Sequence, residues 1–253
     1  MGRQFTTLME RPDNGNVFAS LIYEVVAFFS LPFLCLLIFN GTFRTNTTAA
    51  TMEILYHLCN FLVAVFIYRE YLTDTFADLR HDFTRLLKIS SVSIGLILLI
   101  SLTLQSIFGF ASGNISLIAY GAIPLAEVDL FMLPSSVILF RPVAGVVCLV
   151  VLVPVAVSCL FYATVFAPIC YTRPVLAYLA MAVFLAFPRF CNAATFWDPN
   201  QQWILYFTQL PIHLLACRSY QKADSIWAPI LTLSAVNAAA CILIFLGLAA
   251  GIL

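Results

Sequence analysis

The sequence predicts an all-α, polytopic membrane protein: a bundle of about seven transmembrane helices forming a single integral membrane domain over residues 1–253. Three observations carry that prediction. Of the 253 residues, 62% are hydrophobic and only 9% charged, with a mean hydropathy of +1.00, more apolar surface than a water-soluble fold can bury. Apolar runs of about 18 residues or more recur along the chain, the length a helix needs to cross ~30 Å of hydrocarbon. The charged residues collect between those runs, as the cost of a lone charge at mid-bilayer requires. Lys and Arg total 12 and Asp and Glu 12, so the chain is formally neutral and lacks the basic surface that nucleic acid demands. The lipid bilayer is the implied partner.

The opening stretch MGRQFTTLMERPDNGN has only Arg3 and Arg11 as cations and runs into an apolar segment without a small-residue cleavage site. That segment is expected to stay as a helix rather than leave as a secretory signal. Gly2 and Thr6 have the spacing of an acylation motif, but a polytopic chain gains little from one acyl chain. Spans are expected at about 17–39, 51–68, 87–110, 143–166, 174–192, 200–217 and 226–252. Residues 115–140 are apolar but broken by Pro124, Glu127, Asp129 and Pro134, so they read as a loop at the interface, with an eighth span the alternative.

Between the second and third spans, in 69–88, Leu72, Phe76, Leu79, Phe83 and Leu86 recur at steps of four and three. Glu70, Asp74, Asp78, Arg80 and Asp82 fill the other face, predicting a cytoplasmic amphipathic helix along the membrane surface; a partner-binding helix is the alternative. The eight cysteines stand singly, mostly within apolar runs and with no C-x-x-C pair, so they read as small core hydrophobes. No cofactor is expected. With the amino terminus inside a cell membrane, nine of the twelve Lys and Arg residues fall on the cytoplasmic side and only Arg44, Arg141 and Arg189 outside. The carboxyl terminus is then outside, provided 115–140 does not cross.

The run YQKADSIWAPILTLSAVN, residues 220–237, places Ser225, Trp227, Ala228, Pro229 and Asn237 at distinctive spacings. Upstream, VLVPVAVSCLFY at 151–162 and AVFLAFPRF at 182–190 complete a set of three motif-bearing helices. Together they resemble the CAAX-protease and bacteriocin-processing (CPBP, or Abi) family of intramembrane metalloproteases, well over about 100 residues within 143–252 and in outline elsewhere. The resemblance implies a CPBP-like core in the carboxyl-terminal half. It also implies, for active members, a Pro-x-x-Glu-Glu-x-x-x-Arg helix and two histidines that gather in the bilayer to activate water against a membrane-delivered peptide.

Carried over position by position, the glutamate pair falls on Val157 and Ser158, the arginine on Tyr162, and the two histidines on Pro188 and Leu233. Only Asn237 keeps the family's residue among these positions. No Glu, Asp or His occurs anywhere in 143–192, so a shift of register does not restore the set. A hydrolytic centre cannot be built in lipid from Val, Pro and Leu. The resemblance therefore implies a pseudoprotease with no catalytic residues and no metal, in which apolar side chains relieve the cost of burying unpartnered charge.

Other polar groups are few. Glu53, His57 and Asn60 share one face of the second span; metal or proton handling is one reading, and an interfacial Glu53 with His57 and Asn60 bonded to a neighbouring helix is the simpler one. Glu24, two turns into the first span, is costly unless paired or neutral. His213 precedes Cys217 by four residues, and a rearranged metal site would have to recruit His213 and Glu24. Asn237 is expected to bond Tyr162 inside the vacated site. The sequons at Asn40, Asn46 and Asn114 read as chance against a bacterial resemblance, and Trp197, Trp203 and Trp227 as interfacial anchors. Ala238–Ala240, Gly247 and Gly251 offer a small-residue face for helix contacts. The expected function is binding or regulation of a membrane peptide, lipid-linked precursor or membrane protein. An endopeptidase with an atypical site and a transporter or permease subunit are the alternatives; the absence of an internal repeat weighs against transport.

Overall fold

The computed structural model describes residues 12–24, 26, 46–111, 134–196 and 199–249, and among them every regular element is helical. In chain order these are α1 (14–24), α2 (Asn46–Ile67), α3 (Arg69–His81), α4 (Phe83–Ala111), α5 (Pro134–Phe140), α6 (Pro142–Cys170), α7 (Pro174–Phe196), α8 (Pro199–Ala223) and α9 (Trp227–Ala249). Four of the described helices contain stretches long and apolar enough to cross a membrane: Ala50–Ile67, Phe83–Ile100, Pro142–Cys170 and Trp227–Leu246. Within α7 the described apolar stretch is Pro174–Ala186. Helix α8 is 25 residues long, but Gln209 and His213 interrupt its apolar character. The first expected span is described only as far as residue 26, and the expected loop 115–140 only from Pro134, where α5 packs Val137 and Ile138 into the core.

The distribution of polarity is inverted relative to a water-soluble bundle. Phe66 is 82% exposed, Val143 79%, Val175 74% and Val183 70%, whereas Ser158, Thr164, Gln209, His213, Thr232 and Asn237 are buried. Apolar side chains facing out and polar ones facing each other are what a hydrocarbon solvent selects. Helix α6 is the hub: 56% of its crossing segment is buried, against 22–44% for the other three, and α2, α7 and α9 all pack on it. Helix α8 lies between α4, α7 and α9.

Two π-helical stretches, Cys148–Leu152 and Ser158–Phe166, interrupt α6. Each ends two residues before a proline. The Val153 amide reaches back five residues to the Cys148 carbonyl just ahead of Pro154, and the Ala167 amide reaches the Tyr162 carbonyl just ahead of Pro168. The wider turn makes room for a ring that would strike the carbonyl four residues back in an α-helix. At the helix's other end Gly145 is held so close to α5 that a Cβ there would lie 3.3 Å from the Ile138 Cα and the Val137 carbonyl.

Two expectations for 69–88 change. The segment is two helices, because the chain bends at Asp82, whose carbonyl accepts the amides of Arg85 and Leu86 and so starts α4. The buried face of α3 is Tyr71 and Thr75, one position off the predicted stripe; Phe76 and Phe83 are about half exposed, and Leu86 is buried on α4. An aromatic cluster draws this face in: the Tyr71 and Tyr220 hydroxyls are 3.1 Å apart, with Tyr68 edge-on to Tyr71 and Phe166 edge-on to Tyr220.

The turn from α8 to α9 is built locally. Asp224 takes a left-handed conformation (φ 58°) and returns its amide to the Tyr220 carbonyl at 2.8 Å, ending α8. The Ser225 hydroxyl accepts the Trp227 amide, and Pro229 falls in the first turn of α9, where a missing N–H costs nothing. Ser90 of α4 donates to the Ala228 carbonyl at 3.1 Å, fixing the turn to its neighbour.

Burial raises the Tyr71 hydroxyl from an ordinary 10.0 to about 12 and moves Tyr220 the same way. A phenol whose folded pKa is raised holds its proton in the folded state after the unfolded chain has lost it. Its contribution to stability is therefore complete below pH 10 and lost as pH rises from 10 towards 12. In detergent, Tyr71→Phe is expected to flatten this alkaline decline, read as unfolding midpoint against pH. An unchanged slope would separate Tyr71 from the alkaline transition.

Candidate functional site

The interior of α6 faces α8 and α9 with the residues that the motif positions single out. Val157 is 5% exposed, Ser158 and Tyr162 0%, Leu233 6% and Asn237 3%. The backbone of α7 is described through Pro188, but that side chain lies outside the described residues. Val157 and Leu233 belong to the same hydrophobic core.

Tyr162 and Asn237 do not pair, contrary to expectation. The Tyr162 hydroxyl lies 2.6 Å from His213 Nδ1 across the α6–α8 interface, and both residues make further contacts. Asn237 instead donates from Nδ2 to the Leu149 carbonyl at 2.6 Å. The reason is in the backbone. In the π register the Leu149 carbonyl would be met by the amide of residue 154, which is proline, while the Val153 amide is already taken by Cys148. An exposed backbone carbonyl in an apolar interior is a stronger demand than a phenol with an imidazole already beside it.

Ser158, on the same face as Tyr162 one turn earlier, is wholly buried, and its hydroxyl finds no hydrogen-bond partner. Gln209, one turn before His213 on α8, is buried too and engaged. Its position four residues from a histidine on a largely apolar helix was the signal for it. A second polar centre lies toward one end of the bundle: the Thr164 hydroxyl bonds both Tyr68 at 2.6 Å and Ser20 at 2.8 Å, all three nearly or fully buried. Those hydroxyls are scattered over 145 positions of sequence, Ser20 to Thr164, and nothing local marks them.

The third centre joins α1 to α2. The Tyr23 hydroxyl donates to Asn60 Oδ1 at 2.6 Å, the inter-helix bond expected of Asn60. Glu53 is 2% exposed rather than interfacial, because α6 packs over this end of α2. His57 does not reach a neighbouring helix: its Nε2 is 3.2 Å from Glu53 Oε1 on the same helix, without hydrogen-bond alignment. Tyr56 lies within electrostatic reach of both Glu53 and Glu24, and Glu24 itself is half-buried. Glu24, Glu53, His57 and Asn60 thus belong to one region and His213 to another. Among the described residues no three His, Cys, Asp or Glu side chains gather as a metal-ligand set.

Of the cysteines, Cys148, Cys159, Cys170, Cys217 and Cys241 are buried and unpaired by disulfide, and Cys59 is exposed. Trp227 lies edge-on to Phe76, with ring centroids 5.6 Å apart. The side chains of Asn46 and Trp203, and residues Asn40, Asn114 and Trp197 altogether, lie outside the description.

Replacing Asn237 by Leu, close to it in volume, is expected to cost about 1–3 kcal/mol by leaving the Leu149 carbonyl unmet. With Pro154→Ala in the background an amide is restored at position 154, and the same replacement should cost less than about 1 kcal/mol. Unfolding in mixed micelles measures both; an equal cost in the two backgrounds would refute the pairing of proline and asparagine. No family model, curated protein or solved structure matches this chain.

Proposed function

We propose that this chain is a catalytically silent CPBP-like membrane protein, a bundle of about seven spans with its amino terminus in the cytoplasm, that binds a membrane peptide, lipid-linked precursor or membrane protein. The observation that carries the reading is the interior of α6. Where an active relative would hold carboxylates and a guanidinium, Val157, Ser158 and Tyr162 are buried, and the polar groups near them are consumed by helix-to-helix bonds, Tyr162 with His213 and Asn237 with Leu149. A hydrolytic site needs a base or metal free to meet water and substrate. These groups serve packing instead.

The residues that match the family pattern have structural roles that survive loss of chemistry. Pro154 and Asn237 form one unit through Leu149, and Ser225 and Pro229 start α9. Retaining the scaffold while losing the ligands is what a binding or regulatory role requires. The orientation draws support from charge: Arg80, Arg85, Lys88, Arg173, Arg218 and Lys222 lie where α3, α4, α6, α7, α8 and α9 meet at one end, whereas Arg141 bonds Thr51 at the other.

The test is metal analysis of the purified protein in detergent, together with cleavage assays on a panel of membrane-spanning and prenylated peptides. Substoichiometric zinc and no cleavage are expected, with at least one panel peptide crosslinking to the intact protein. Stoichiometric zinc, with cleavage abolished by Glu24→Gln or His213→Ala, would overturn the reading in favour of an atypical endopeptidase.

A further inference from the structure

The bend between α3 and α4 forms a cleft of about 530 Å³ lined by His81, Asp82, Thr84, Arg85, Lys88 and Ile89. Its volume falls within the ~300–1,000 Å³ of small-molecule sites. Three of the six lining residues are basic or protonatable and one is acidic. That acid is already engaged: Asp82 Oδ1 is 2.9 Å from His81 Nδ1, and Oδ2 is 3.6 Å from Arg85 Nη1. Among the described residues Lys88 has no acidic partner, and the Thr84 hydroxyl, opening on the same cleft, has no bond within the protein. The cleft therefore presents surplus positive charge and free donors, and one acceptor already neutralised.

Its placement is as informative as its charge. The stretch of α4 long and apolar enough to cross a membrane is Phe83–Ile100, so Arg85 and Lys88 stand at its head, where long side chains can extend their charge toward water. Along the same face of α4, at successive steps of four and seven from Lys88, Val92 and Leu99 are 63% and 64% exposed. Cations at the head of an outward-facing apolar stripe match a molecule that is anionic at one end and apolar at the other.

We infer that the α3–α4 cleft binds the phosphate of an anionic phospholipid headgroup, with Arg85 and Lys88 contacting the phosphate, Thr84 donating from its hydroxyl, and the acyl chains running along α4 past Val92 and Leu99. The shared chemistry is a phosphate monoanion or diester. The attached acyl chains favour lipid over free phosphate, because the apolar stripe of α4 contributes only to a ligand that carries them. The site is independent of any role for Tyr162, His213 or the α1–α2 region.

The test uses the full chain in detergent, with lipid retention read by native mass spectrometry and stabilisation by thermal shift. The ligands are phosphatidylglycerol, phosphatidylcholine with the same chains, and inorganic phosphate. Phosphatidylglycerol is expected to be retained in preference to phosphatidylcholine, and each of Arg85→Gln and Lys88→Gln to reduce that preference about fivefold. Arg218→Gln and Lys222→Gln, which remove cations from the same end but outside the cleft, should leave it unchanged. Equal retention of the two lipids, or equal loss in all four variants, would overturn a defined site and leave only general attraction to an anionic surface. Displacement of phosphatidylglycerol by millimolar inorganic phosphate would overturn the lipid assignment in favour of a soluble phosphate ligand.

Discussion

A hydrocarbon interior offers no partner to a stray backbone group, and the architecture of this bundle follows from how that demand is met around Pro154. The proline removes an amide from the middle of the central helix, and the π turn that accommodates its ring leaves the Leu149 carbonyl facing outward from α6. In water such a carbonyl would be solvated at little cost. Here it must be met from a neighbouring helix, and Asn237 of α9 meets it at 2.6 Å. One covalent peculiarity thereby fixes the rotation of α6 about its axis and the depth of α9 beside it. The side chains that α6 turns toward α8, among them Tyr162, are consequences of that setting.

The same logic explains why the other polar residues occur in closed groups. Thr164 joins Tyr68 and Ser20, Tyr23 joins Asn60, Tyr162 joins His213, and Tyr71 joins Tyr220. Each bond links different helices, so the pairs act as registers between elements whose apolar surfaces are otherwise interchangeable. Leu, Val and Phe can slide past one another with little change in energy in lipid; a hydroxyl that must find its acceptor cannot. Ser158 departs from this pattern, since its buried hydroxyl finds none.

Much of the fold was legible because hydropathy and charge report directly on lipid. Four segments long and apolar enough to cross a membrane fall within or near the expected ranges, and the expected interhelical bond of Asn60 is present. The misreadings share a cause. Glu53 read as interfacial because it stands near the start of its span, but α6 covers it, and sequence position does not reveal what packs on a helix end. The stripe in 69–88 read as one helix because its period continues unbroken through Asp82, where the backbone turns without a glycine or proline to announce it. The Tyr162–Asn237 pair was inferred from shared membership of a site. It fails because the competing acceptor, a main-chain carbonyl, is invisible in a list of side chains until the π register is known.

That last case bears on the proposed loss of chemistry. In the proposed reading, motif residues divide by the kind of bond they make. Those that satisfy backbone, such as Asn237 on Leu149 and Ser225 on the Trp227 amide, answer a constraint that persists whatever the protein does. Those that would have served chemistry answer a constraint that vanishes with activity, and burial in lipid then penalises them, since each unpartnered carboxylate or imidazole costs several kcal/mol or is forced neutral. Selection for stability alone would therefore remove the ligands and keep the proline, the asparagine and the cap. A motif in which the backbone-satisfying positions match while the ligand positions are apolar is thus the pattern expected of a fold kept for binding after its chemistry has gone.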